Sequence, residues 1–158
     1  MKLRLILILL LALICAGCAQ DAPEETTGAP PMMGIANPWK SHATLAEAEA
    51  ACGFALGIPE TVGVFQAQQF RVMNGYLLEV DYIHEGNTVT VRKAAGNENI
   101  SGDYTQYDEI VLADYANGSA TFRGDASVVL FTEDWSYSLY CEGSWEGCKD
   151  AFVNAIMG

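Results

Sequence analysis

The sequence contains five cysteines, and their positions allow two kinds of covalent chemistry. Cys15-Ala-Gly-Cys18 ends an apolar run near the N-terminus, where a small pair of residues before a cysteine suits a signal peptidase. Cys141 and Cys148 flank a predicted turn between a strand and a helix, so their Cα atoms can approach the ~5.5 Å that a disulfide needs. Cys52 is a possible competing partner. Three buried, reduced thiols, which behave as small apolar side chains, are the other interpretation.

The N-terminal segment has the layout of an export signal. Met1–Arg4 carries two positive charges, Leu5–Ile14 is wholly apolar, and small residues follow. The apolar run is shorter than the ~20 residues of a membrane-spanning helix. Its end resembles the bacterial lipobox, although Cys15 stands where that motif usually has leucine. The resemblance implies that residues 1–17 are removed and that Cys18 receives a diacylglyceryl group with palmitate-type chains; an ordinary cleaved signal is the alternative.

The histidines and acidic residues do not form a recognisable metal site. His42 and His84 have no second histidine or cysteine at ligand spacing, so zinc is not expected. Residues 97–99 and Asp103 offer oxygen atoms to calcium, but the alternating acidic pattern of a calcium loop is absent. A solvated acidic loop is the preferred interpretation, and no metal or cofactor is expected. The nearby acidic residues are Asp108, Glu109, Asp114 and Asp125.

Residue types suited to catalysis are present without a recognisable arrangement. Ser136 and Ser138 lie on a strand predicted to have one wet face, and no nucleophile-elbow glycines surround them. Arg92-Lys93 is the only adjacent basic pair of the predicted domain, and it either clamps a carboxylate or balances nearby acids. Aromatic residues such as Trp39 could stack on a sugar or a peptide, but in a small domain they are usually core. Ligand binding by a sheet face therefore stays a hypothesis.

Charge and composition divide the chain. The formal net charge is −12, which argues against nucleic acid and against an electrostatic membrane patch, because both need Lys and Arg. Residues 18–35 are rich in Pro, Gly, Thr and Glu, so they cannot bury enough apolar area to form a core. They are predicted to be a flexible tether, and residues 36–158 to be a single domain.

Helical spacing appears at both ends of that domain. Thr44 and Glu47 form a capping box before a predicted helix over Leu45–Cys52, which Gly53 ends. A last helix is predicted over Trp145–Met157, with Ser144 as its cap. Its apolar stripe comprises Trp145, Cys148, Phe152, Ala155 and Ile156.

Period-two patterns fill the region between the helices and begin near Thr61. Asn74-Gly75 and Asn117-Gly118 are strong hairpin signals, and short connections make the neighbouring strands antiparallel. The sequence therefore predicts an α+β fold: an antiparallel meander of about seven strands with an N-terminal and a C-terminal helix packed on one face.

Short motifs spread along the domain also allow a family comparison. They are Ala36-Asn-Pro-Trp39, Leu45-Ala-Glu-Ala-Glu-Ala-Ala-Cys-Gly-Phe54, Ile58-Pro-Glu60, Phe70-Arg-Val-Met-Asn-Gly75, Leu78-Glu-Val80, Arg92-Lys-Ala-Ala-Gly96 and Ile100-Ser-Gly-Asp-Tyr104. Together they resemble a family of uncharacterised extracellular lipoproteins and sporulation-associated membrane proteins of Gram-positive-type bacteria, over nearly all of residues 36–158. The resemblance implies an extracellular α+β domain of unknown function with no defined catalytic residues. The sequence departs from the family at Cys52, Cys141 and Cys148.

Taken together, these features predict a secreted bacterial lipoprotein at the extracellular face of the cytoplasmic membrane. Its expected contact with the membrane is the lipid on Cys18, and its protein or small-molecule partner is not specified by the sequence. The preferred role is a non-enzymatic binding, sensing or envelope-interaction module. The alternative is a small secreted hydrolase, which would gather His84 with an acidic residue in a deep polar cleft.

Overall fold

A computed structural model describes residues 36–158, in which nine strands and two helices follow one another along the chain. Every strand pairing in this region is antiparallel. The strands are β1 (Trp39–His42), β2 (Thr61–Val62), β3 (Phe65–Met73), β4 (Leu77–His84), β5 (Asn87–Ala95), β6 (Ile110–Tyr115), β7 (Gly118–Arg123), β8 (Ser127–Thr132) and β9 (Trp135–Glu142). The helices are α1 (Leu45–Cys52) and α2 (Lys149–Met157).

The broad α+β prediction is confirmed, whereas the strand number and the meander order were wrong. Nine strands form one sheet in the order β1-β3-β4-β5-β9-β8-β7-β6, with β2 paired to β3. The count differs because β1 and β2 have only four and two residues, too few for a visible period-two pattern. The order differs because β9 returns to pair with β5, and this pairing depends on distant residues rather than on a local turn.

Helix α1 begins and ends as its capping residues predict. The Thr44 hydroxyl accepts a hydrogen bond from the Glu47 amide at 3.2 Å, and the Glu47 carboxylate accepts one from the Ala43 amide at 3.0 Å. Gly53 adopts a left-handed conformation with φ of 78°, and its amide donates to the Glu49 carbonyl at 2.8 Å. The local sequence is therefore sufficient to define this helix.

Helix α2 starts four residues later than the sequence predicted. Glu146 and Gly147 have φ values of 50° and 73°, which a right-handed helix does not allow. The Ser144 hydroxyl accepts a hydrogen bond from the Glu146 amide at 3.2 Å, so it stabilises the preceding turn instead of capping the helix. Within residues 36–158 no helix is long and apolar enough to cross a membrane.

One face of the sheet, called here the core face, is apolar. In its centre Leu78, Val80 and Tyr82 are completely buried. Phe152 of α2 packs edge-on against the Tyr82 ring at a centroid distance of 5.1 Å, and Ala48 of α1 belongs to the same buried cluster. The core therefore lies between the two helices and this face of the sheet.

A β-bulge in β3 explains why its burial does not alternate regularly. The pairing of β3 with β4 shifts register between Ala67 and Gln69, so that Phe65 and Phe70 are both buried despite their odd spacing. Beyond the bulge Arg71 pairs with Glu79, on the side of the sheet opposite the core face. We call that second side the polar face.

Candidate functional site

The polar face carries charged side chains in adjacent positions on β3, β4 and β5. Arg71 lies opposite Glu79, and Glu79 in turn lies opposite Arg92. One step along the strands, Asp81 lies opposite Thr90. Side chains directly opposite one another in an antiparallel sheet are close enough to interact, and positions two apart share a face. The register of three strands therefore brings two arginines and two carboxylates together.

These side chains form a connected ion network. Nη2 of Arg71 lies 2.7 Å from Oε1 of Glu79 and 2.7 Å from Oδ2 of Asp81. Nε of Arg92 lies 2.6 Å from Oε2 of Glu79. The Thr90 hydroxyl donates to Oδ1 of Asp81 at 2.7 Å. Each of the four carboxylate oxygens thus has a donor from the protein, as buried charges require.

The segment between β5 and β6 forms a wall beside this network. Nη1 of Arg92 donates to the Ser101 carbonyl and, at 3.4 Å, to the Ile100 carbonyl. Gly102 has φ of 64°, and a Cβ atom there would lie only 2.6 Å from Nη1 of Arg92. Glycine therefore lets the segment approach the guanidinium closely.

Asp103 anchors the same segment. The Tyr107 hydroxyl donates to its carboxylate at 2.7 Å, the Thr105 amide does so at 2.9 Å, and Nη1 of Arg123 lies 3.6 Å away. Burial alone would raise the pKa of Asp103, but these hydrogen bonds and the Arg123 charge outweigh burial and hold its pKa below its usual value. The Asp103 carboxylate therefore holds this segment in place through contacts within the protein.

A cleft of about 400 Å³ opens between the network and this wall. Its volume is at the lower end of the range for small-molecule sites. Trp39 of β1 and Tyr140 of β9 line two of its sides, and the Arg92 guanidinium lies 5.8 Å from the centre of the Trp39 ring. Its other lining residues include Arg71, Thr90 and Ser138. The cleft therefore combines charged, hydroxyl and aromatic groups.

Burial differs between the acids and the bases of the ion network. Glu79 is 3% exposed and Asp81 is 6% exposed. The side chain of Arg71 is 37% exposed, and that of Arg92 is 23% exposed. Nε of Arg71 is buried without a hydrogen-bond partner among the described residues. A molecule entering the cleft would therefore meet guanidinium groups before carboxylates.

The sequence singled out Arg92 and Lys93 as a pair, but the structure separates their charges. Lys93 points to the core face, where its ammonium donates to the carbonyls of Ala55 at 2.7 Å and Leu56 at 3.2 Å. The ammonium also lies 4.4 Å from the centre of the Trp135 ring. Burial lowers the pKa of Lys93, although the charge of Glu49 opposes the shift.

The other residues considered for catalysis are dispersed. Ser136 and Ser138 were predicted to face water, but they are 0% and 3% exposed. The Ser136 hydroxyl donates to the Gly96 carbonyl at 2.9 Å, and only Ser138 lines the cleft. His84 packs its ring against Phe65 at 5.8 Å, away from the polar face. The covering segment and the burial of the strands account for the serines being inaccessible.

Metal ligands are not assembled in the part of the chain that the structure covers. No group of three or more histidine, cysteine and acidic side chains there could hold a metal ion. His42 has a buried Nε2 atom without a hydrogen-bond partner among residues 36–158. The acidic residues near the loop serve the contacts described above or face solvent.

Three of the five cysteines lie in the described part of the chain. Cys52, Cys141 and Cys148 are free thiols in this structure, and Cys141 and Cys148 are buried. Burial raises the pKa of the Cys52 and Cys141 thiols, which makes them less reactive. The Cys141–Cys148 bridge stays a prediction for the oxidised protein. Cys18, the expected lipid attachment site, and the tether over residues 18–35 lie outside the described residues.

The ion network was missed at the level of sequence, although part of its signal was visible. Glu79-Val-Asp81 places two acids two residues apart within a strand, which puts both on one face. Arg71 and Glu79 are equally distant from Gly75, so a hairpin centred there brings them opposite each other. The place of Arg92 in the network depends in addition on the pairing of β5 with β4.

In comparison with known proteins, no family model, no curated protein and no solved structure matches the chain. No relative therefore assigns a role to the cleft.

Proposed function

We propose that this chain is a bacterial lipoprotein, held at the extracellular face of the cytoplasmic membrane by lipid on Cys18, whose domain binds a ligand in the polar cleft without transforming it. The observation that carries the binding role is the cleft itself, where guanidinium groups remain exposed above buried, fully paired carboxylates. A network that served only to hold the strands together would not require an adjoining cavity of about 400 Å³.

The side chains of the cleft favour binding over hydrolysis. Both oxygens of Glu79 and both oxygens of Asp81 are already held by donors from the protein, so neither carboxylate is free to contact a substrate. A hydrolase was expected to gather His84 with an acidic residue in a polar cleft, but His84 packs against Phe65 instead of facing these carboxylates. The small secreted hydrolase is therefore the weaker candidate.

The anchor is supported by the order of residues at the N-terminus. A basic segment, an apolar run and Cys15-Ala-Gly-Cys18 are the parts that export and lipidation require. Each buried methylene group of an acyl chain contributes about 0.8 kcal/mol, so the two or more chains of a lipidated cysteine hold a protein firmly at a membrane. The domain would then act at the membrane surface.

The anchor is tested by expressing the full chain in a bacterial host that is fed labelled palmitate. The unchanged chain and Cys15→Ala should incorporate label and enter the detergent phase on phase separation, whereas Cys18→Ala should do neither. Label on the Cys18→Ala protein would contradict the anchor.

The binding role is tested on the same full chain, purified in a non-ionic detergent. Small organic acids, sugars and short peptides are added in turn while thermal unfolding is followed, because a ligand that binds the folded state raises the melting temperature. At least one class should stabilise the unchanged chain, and Arg71→Lys should weaken that effect. No stabilisation by any class would contradict the binding role.

A further inference from the structure

Most of the polar atoms in the cleft that lack a hydrogen-bond partner are donors. Arg71 contacts both carboxylates through Nη2, and its Nη1 makes no hydrogen bond to the described residues. Arg92 uses Nε for Glu79 and Nη1 for the carbonyls of the covering segment, which leaves Nη2 without a protein partner there. Since guanidinium groups only donate, the ligand must supply acceptor atoms.

Charge balance limits how negative that ligand can be. The two arginines face two carboxylates, Glu79 and Asp81, so the network as a whole is close to neutral. The next charged pair, Asp103 with Arg123, is also balanced. Because the network is close to neutral and the chain carries a net charge of −12, a second negative charge on the ligand would meet no balancing positive charge, whereas a single carboxylate can bind the exposed guanidinium edges.

The walls of the cleft indicate what the rest of the ligand is like. The Trp39 ring lies beneath the Arg92 guanidinium, and Tyr140 is 41% exposed at the opposite side. Flat aromatic walls favour a ring or another flat apolar body, and the planar guanidinium matches a carboxylate better than a spherical anion. A volume of about 400 Å³ suits a small molecule rather than a folded protein surface.

We infer that the cleft binds a small organic monocarboxylate, with its carboxylate at the free guanidinium nitrogens of Arg71 and Arg92 and its ring or apolar body against Trp39 and Tyr140. This inference rests on the proposed binding function and adds the chemical class of the ligand. It requires no metal, cofactor or covalent step.

The test compares three probes of similar shape on the full chain in non-ionic detergent: benzoate, its neutral counterpart benzamide, and phenyl phosphate, which is largely dianionic at neutral pH. Isothermal titration should show benzoate binding about tenfold or more tightly than either of the others, the value of one charge-assisted hydrogen bond. Arg71→Lys keeps the charge but loses the planar fork, and it should weaken benzoate binding several-fold. Lys40→Gln removes a positive charge from an exposed position on β1, opposite Val72 and next to Trp39, and should leave binding unchanged.

The outcomes separate the inference from the function on which it rests. Equal or tighter binding of benzamide or phenyl phosphate, weakened by Arg71→Lys, would show that the cleft binds ligands but that the monocarboxylate class is wrong. Benzoate binding that Arg71→Lys leaves unchanged while Lys40→Gln weakens it would place the carboxylate elsewhere and overturn the inference. No binding of any probe overturns the monocarboxylate class, and the wider panel of acids, sugars and peptides then decides whether the binding role stands. Because the three probes are compared on the unchanged protein, the result does not depend on the stability of a variant.

Discussion

Arg92 and Lys93 are neighbours in the chain, yet their charged groups lie on opposite faces of the sheet. Nε of Arg92 lies 2.6 Å from the Glu79 carboxylate on the polar face, and Nζ of Lys93 lies 2.7 Å from the Ala55 carbonyl on the core face. Successive side chains of a strand alternate in direction, so an adjacent basic pair on β5 cannot clamp one carboxylate. Arg92 therefore lines the cleft, and Lys93 binds the segment after α1.

The buried position of Lys93 leads to a stability prediction. Lys93→Met removes the donor to the carbonyls of Ala55 and Leu56 while keeping much of the apolar volume. The free energy of unfolding at pH 7 should fall by about 1.5–3 kcal/mol, the usual contribution of hydrogen bonds made by a charged group. Urea unfolding measures it. The control is Lys40→Met on an exposed site, which should change stability by less than about 0.5 kcal/mol; equal effects would contradict the assigned role.

Phe152 should contribute more to stability than any other residue of α2. Its side chain is completely buried, and its ring packs edge-on against Phe65, Tyr82 and Trp145. Phe152→Ala should lower the free energy of unfolding by about 3–5 kcal/mol, as large-to-small core substitutions do. Asn154→Ala, at an exposed position of the same helix, should cost almost nothing. A small loss for Phe152→Ala would mean that α2 is not docked on the core face.

Tyr82 should make the domain sensitive to alkali. Burial, followed by the charges of Glu60 and Glu49, raises the pKa of Tyr82 above its ordinary value of 10.0. Above about pH 10 the Tyr82 hydroxyl loses its proton in the unfolded chain but retains it in the folded chain. The stabilisation is therefore intact below pH 10 and is lost as the pH rises further.

The variant Tyr82→Phe separates this effect from the hydrogen bond of the hydroxyl. That hydroxyl donates to the Pro59 carbonyl at 2.9 Å, so the variant should be less stable at pH 7 by about 1 kcal/mol. Its stability should then fall less steeply than that of the unchanged chain when urea unfolding is repeated from pH 9 to 11. Tyr104→Phe, at a side chain that is 94% exposed, should leave the whole profile unchanged. Parallel profiles for Tyr82→Phe and the unchanged chain would refute the assignment.

The exported protein is predicted to form a Cys141–Cys148 bridge with Cys52 free. Because two of these thiols are buried, alkylation must be done in denaturant without reductant, followed by mass spectrometry. The closed loop is short, so the bridge should stabilise the fold by less than the ~3 kcal/mol expected for a loop of 15 residues. The reduced domain should therefore still fold, with a lower melting temperature. Three alkylated thiols besides Cys18 would mean no bridge, and a linked peptide with Cys52 would mean another partner.

The exposed apolar residues of strand β6 lead to a prediction about solubility. It lies at one end of the sheet and exposes 58% of Ile110, 49% of Val111 and 77% of Leu112. An exposed apolar edge strand promotes pairing between molecules, and lysine on such an edge opposes it. Leu112→Lys should delay the rise in light scattering on concentration without changing the melting temperature. Val64→Lys, at a residue that is 49% exposed and lies outside the strands, should not cause such a delay; a similar delay for both variants would attribute the effect to charge alone.

Local elements could be predicted from the sequence, and long-range ones could not. Thr44, Glu47 and Gly53 define α1 through contacts within a few residues, and Asn74-Gly75 connects β3 to β4. The pairing of β5 with β9 has no such local signal. The cleft is built from β1, β3, β4, β5 and β9, so its lining could not be assembled before the strand order was known.

The β5–β9 pairing also has a consequence for how the chain folds. Ala95 pairs with Trp135, so this central contact closes a loop of about 40 residues, whereas the β3–β4, β4–β5 and β6–β7 hairpins form from adjacent segments on a microsecond scale. During synthesis the N-terminal part of the chain leaves the ribosome first, so the hairpins up to β5 can form before β9 is available. Until β9 arrives, β5 is an unpaired edge that exposes Val89 and Val91, the state most open to aggregation. We therefore expect the pairing of β9 with β5 to be the slow step of folding, after which this edge is no longer available to other molecules.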